Sequence, residues 1–117
     1  MLDQFLDDVM AVYATLSEPL RLAFEQKGCI AVEELAGGYE FTLHPTNIGG
    51  YWASGERLVV LCRAPANGKA GEALRQHIKI VLLHEIGHAL GLNHADMAEV
   101  GLCTMNGEVT LDHCARS

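Results

Sequence analysis

Hydrophobic and polar positions change period several times along this chain, and each change marks an element. Leu2, Phe5, Leu6, Val9, Tyr13 and Leu16 recur at helical spacing, with Asp3, Asp7 and Asp8 set on the other side. The spacing predicts an amphipathic helix over residues 2–16, whose acidic first turn suits the helix dipole. After Pro19 the period shortens. Leu20, Leu22 and Phe24 alternate with Arg21, Ala23 and Glu25, which predicts a half-buried strand in "PLRLAFEQ". Lys27-Gly28 marks a turn, and "CIAVEEL" and "YEFTLH" predict two further strands divided by Ala36-Gly37-Gly38. "TNIGG" breaks the chain again. "YWAS" and "RLVVLC" then flank Ser54-Gly55-Glu56, and Leu58 to Leu61 read as the most buried strand. "RAPANGKAG" is a loop. A long helix from about Glu72 to Leu90 follows, with Leu74, Ile78, Val81, Leu82 and Ala89 on a broad apolar stripe. It stops at Gly91, a natural left-handed C′ residue. The tail is short and irregular, with Thr110 placed to cap one last helical turn.

Helix, several strands, helix and short tail describe an α+β domain: a small mixed sheet packed on an N-terminal helix and a long second helix. At 117 residues the chain is expected to form one domain, 1–117, with a single modest core. Half of the residues are hydrophobic and 20% are charged, which is globular composition rather than disorder. The net charge of −7 argues against nucleic acid or an anionic membrane as partner, since both select a basic face. No apolar run approaches the roughly 18 residues of a membrane span. The start carries Asp3, Asp7 and Asp8 where a secretion signal carries Lys or Arg. A cytoplasmic protein is therefore expected, or a secreted one if the chain is an excised domain. The four cysteines include no C-x-x-C pair, which argues against a zinc ribbon. Buried or free thiols are the expectation, with a Cys103–Cys114 bridge open if the protein is exported.

The chemistry concentrates in "HEIGHALGLNH", residues 84–94. His84 and His88 are one helical turn apart and about 40° apart around the axis, so both imidazoles can reach one metal ion. Glu85 flanks that face without having to bind the metal. H-E-x-x-H on a helix is the pattern of a zinc site with a glutamate general base. Zinc also wants a third protein ligand and an open position for water. Gly91 stops the helix and lets the chain turn, so that His94 can swing back as that ligand. At ordinary residue frequencies, these five fixed positions would co-occur by chance in only about a few chains per million of this length.

The motif has the H-E-x-x-H-x-x-G-x-x-H form of the metzincin zinc endopeptidases, and its wording resembles the matrixins most. "VYATLSEPLRLAFEQ" is similar to the matrixin passage out of the first helix, and "IGGYWASGERLVVL" to the stretch that leads to the sheet edge. The resemblance implies a minimal zincin-like domain with Zn2+ bound by His84, His88 and His94. Glu85 would polarise the attacking water and pass its proton to the leaving amine, while zinc stabilises the oxyanion. An edge strand near Gly50 to Ala53 would pair with extended peptide or protein substrate. It also implies a methionine in a tight turn beneath the metal. Met105 in "CTMNG" fits, with Asn106-Gly107 supplying turn residues, whereas Met97 follows His94 too closely.

His77 lies two turns before His84 and is expected to be structural or solvent-facing, since three ligands suffice. His44 and His113 have no partner at ligand spacing. Tyr51 and Trp52 either pack at the sheet edge or line the substrate cleft. Two other functions deserve comparison with a zinc endopeptidase. A zinc-binding module or incomplete metzincin domain without proteolysis would suit the short tail, but has no use for Glu85. An RNA hydrolase with three histidines at this spacing is disfavoured by Glu85 and by the charge. Oligomeric state has no signature in the sequence.

Overall fold

The computed structural model describes residues 2–35, 48–92 and Asp96. The architecture is α+β, with three α-helices and a three-stranded mixed sheet among the described residues. Helix α1 (Leu2–Tyr13) buries Phe5, Val9, Val12 and Tyr13, the apolar stripe expected from the sequence. It ends three residues earlier than the spacing predicts. The N–H and hydroxyl of Thr15 both donate to the carbonyl of Val12, at 2.9 and 2.6 Å, which tightens the last turn and releases the chain. Leu16 nevertheless stays in the core.

The strand expected in "PLRLAFEQ" is instead helix α2 (Glu18–Glu25). Pro19 occupies its first turn, where the missing N–H costs nothing. The apolar alternation over so short a stretch fits a helix equally well. Leu20 and Phe24, four residues apart, share the inner face, and Leu22 is 53% exposed. Phe24 meets Tyr13 edge-on, with ring centroids 6.2 Å apart. Tyr13 Oη donates to Glu25 Oε2 at 2.7 Å, which fastens α2 to α1.

Strands β1 (Cys29–Glu33), β2 (Gly50–Ala53) and β3 (Leu58–Cys62) lie in the order β1-β3-β2. β1 runs parallel to β3, pairing Ile30 with Val59, and β2 runs antiparallel to it, pairing Tyr51 with Val60. Alternation then sorts the side chains between two faces. Val59, Leu61, Ile30, Val32 and Trp52 join α1 and α3 in the main core. Tyr51, Val60, Cys62, Ala31, Ala53 and Leu58 form a second cluster on the outer face. The hairpin turn between β2 and β3 is clamped to α2. Arg57, at φ 59°, donates from Nε and Nη2 to the carbonyls of Lys27 and Gln26, at 2.8 and 3.0 Å. Gly28 is required at this seam, because a Cβ there would stand 2.2 Å from the Arg57 carbonyl oxygen.

The loop after β3 contains a single 3-10 turn, Ala64–Ala66, and leads to helix α3 (Gly71–Ala89). Ile78, Val81, Leu82 and Ile86 bury the helix under the sheet. Gly91 takes φ 87°, its N–H donates to His88 O, and the Leu92 N–H donates to Gly87 O. That pair of bonds is a Schellman C-cap, and it ends α3 where the sequence places its stop. Among the described residues, no helix is long and apolar enough to cross a membrane. The strand expected in "YEFTLH", the cap at Thr110 and the irregular tail lie outside the described residues.

Candidate active site

The last two turns of α3 carry the site. His84 and Glu85 are 1% and 0% exposed, and His88 is half-buried. The Nε2 atoms of His84 and His88 converge to 3.2 Å, with the rings nearly perpendicular at 85°. Two nitrogens bound to one tetrahedral zinc at about 2.0–2.1 Å stand roughly 3.3 Å apart. The pair therefore has the spacing of two corners of a zinc tetrahedron. Two imidazoles one helical turn apart are a pair of donors suited to a divalent cation, and the Glu85 carboxylate is buried beside them. Among the described residues, no group of three or more His, Cys, Asp and Glu side chains gathers as a metal site. His94 and Met105, the remaining members of the expected site, lie outside the described residues.

The sheet meets this end of α3 through glycine. A Cβ on Gly50 would come within 2.6 Å of Val60 O and 2.9 Å of Val81 Cγ1, and one on Gly49 within 2.9 Å of Val81 Cγ2. Val81 precedes His84 by one turn, so the first residues of β2 rest on the helix just before the first histidine. Among the described strands β2 is at the sheet edge. Its Trp52 turns into the core and its Tyr51 onto the outer face, so the two aromatics separate rather than sharing one wall.

Two groups on the sheet are not legible from local spacing. Cys62 ends β3 fully buried, and its thiol is pushed up to about 12, first by burial and then by the charges of Glu33 and Glu85. Without a metal beside it, it remains a neutral thiol at physiological pH and is unsuited to act as nucleophile. Tyr51 Oη donates to Glu33 Oε1 at 2.7 Å across the outer face, and burial followed by this bond raises the phenol above its ordinary value. The partners are far apart in sequence and meet only because β1 and β2 flank the same strand. His77 is half-buried; a Cβ on Gly49 would lie 3.9 Å from its Cε1.

A family model for zincin-like metallopeptidases matches residues 8–102, and the chain belongs to that family. Its class is thereby that of a zinc-dependent peptidase, with Zn2+ as cofactor and peptides or proteins as substrates. Neither a curated protein nor a solved structure matches the chain.

Proposed function

We propose that the chain is an endopeptidase of metzincin, matrixin-like type. In this reading His84, His88 and His94 hold zinc, Glu85 is the general base and Met105 supports the site from below. The approach of the two Nε2 atoms to 3.2 Å carries the reading, because an ordinary His-rich helix has no reason to aim both rings at one point. Zinc, when bound, supplies Lewis acidity that activates water near neutral pH and steadies charge on the carbonyl oxygen. Glu85 takes the proton from the attacking water and delivers it to the departing amine. Its complete burial keeps that proton out of bulk solvent between the two transfers. Gly50 to Ala53 offer main-chain hydrogen bonds to an extended substrate, an arrangement that recognises backbone rather than a chain terminus.

The test is digestion of an unstructured protein such as casein by the zinc-loaded chain, beside Glu85→Gln at matched zinc content. Turnover should fall by at least about a hundredfold in the variant while zinc is retained. Equal turnover in both would remove Glu85 from the chemistry. One bound zinc without turnover in either would favour the binding-module alternative.

A further inference from the structure

We propose that the outer face of the sheet holds a subsite for a basic side chain, which selects substrates with Arg or Lys before the cut. The inference rests on the peptidase reading above. Ala31, Glu33, Tyr51, Glu56, Leu58 and Val60 are among the residues around a concavity of about 380 Å³ on this face, within the size range of ligand sites. Among the described residues, the charged side chains that line it are Glu33 and Glu56. The neighbouring cations are committed elsewhere. Arg57 donates to the carbonyls of Gln26 and Lys27, and Arg63 donates to Glu34 and Asn67. Among the described residues the ion pairs are Arg63–Glu34 and Arg75–Glu72, so neither carboxylate of the concavity is neutralised by one.

The two carboxylates stand at opposite ends of the strands. Glu33 pairs with Cys62 at the end of β3, whereas Glu56 sits in the turn before Leu58. Tyr51 Oη fixes Glu33 through Oε1. Between them the floor is apolar, formed by Ala31, Leu58 and Val60. An apolar floor with carboxylates at its ends suits a long side chain with a methylene stem and a cationic head.

Strand geometry brings such a side chain to the concavity. In β2, Tyr51 and Ala53 project onto the outer face and Trp52 onto the core. A substrate strand added beside β2 alternates in the same way, about 4.8 Å further out. An Arg or Lys stem therefore crosses β2 toward Glu56 at the near turn, while Glu33, on β1 beyond β3, acts on the cation at longer range. A substrate antiparallel to β2 runs from Ala53 toward Gly50, the end that rests on Val81 beside the histidines. Residues preceding the cut therefore lie along the concavity.

The test uses the zinc-loaded full chain. Cuts in a mixed peptide library should show Arg and Lys enriched at one fixed position before the scissile bond. The ratio of kcat/KM for an Arg peptide over its Gln counterpart should fall about tenfold in Glu33→Gln/Glu56→Gln. Glu56→Gln alone, on the exposed turn, should move the ratio the same way without touching the Tyr51–Glu33 bond. A profile without basic preference, or a ratio unchanged in the double variant, overturns the subsite and leaves the peptidase intact. Should the protein cut nothing, calorimetric titration with acetyl-Ala-Arg-Ala-amide and its Gln counterpart decides. Arg-selective binding lost in the double variant upholds the subsite and removes only the peptidase reading. Binding without selectivity, or selectivity that survives in the variant, overturns it.

Discussion

His77 and His84 lie on the same side of α3, two helical turns apart, and their surroundings set them different tasks. His84 is buried with its Nε2 turned on that of His88, whereas His77 rests half-buried against the start of the edge strand. Burial, and to a lesser degree the charge of Lys69, holds the His77 imidazole below its ordinary value of 6.5. Between its folded and unfolded values the unfolded chain binds more protons, so stability rises with pH across that window. On acidification the penalty opens as pH passes 6.5, and it is complete and constant once pH is below the folded value. His77→Gln should therefore lose less of its urea midpoint than the native chain between pH 7.5 and pH 5.5, at matched zinc content. Equal losses would show that His77 titrates alike in both states.

The junction of β2 with α3 is the element-scale counterpart, because it sets how near the sheet edge stands to the histidines. Gly50 permits the contact with Val81 and with the Val60 carbonyl. Gly50→Ala should cost about 2 kcal/mol through overpacking, read as a lower urea midpoint. In the peptidase reading it also slows turnover by displacing the edge strand, while leaving zinc content intact. An unchanged midpoint would mean that β2 can shift freely. Much at this scale was legible in the sequence. The periodicity of α1, the run Leu58 to Leu61 and the stop at Gly91 each state their element directly, and α3 is found within one residue of the expected ends. The segment "PLRLAFEQ" misleads for a physical reason. Over eight residues, apolar groups at Leu20 and Phe24 satisfy both periods, and Pro19 signals a helix start only if the following alternation is discounted. The pair His84 and His88 is readable because four residues make one turn. The Tyr51–Glu33 bond is not, since it depends on the order in which three strands assemble.

Zinc ties these scales together at the level of the whole molecule. The core is shared by three helices and one small sheet, and a chain of 117 residues leaves a modest surplus over conformational entropy. His84 and His88 aim at one point only while α3 is helical, and α3 is held by Ile78, Val81, Leu82 and Ile86 under the sheet. In the proposed site the folded chain therefore offers zinc a preformed pair of ligands that the unfolded chain does not. At free zinc a thousandfold above the dissociation constant, selective binding to the folded state adds about 4 kcal/mol. In a domain of this size each kcal/mol moves the midpoint by about 4 °C, so removing zinc with a chelator should lower Tm by roughly 15 °C. His88→Ala should already melt near the chelated value and respond little to further chelator. A native chain whose Tm ignores chelation despite verified zinc would place the metal outside the folding equilibrium, and the cluster on α3 would not be its binding site.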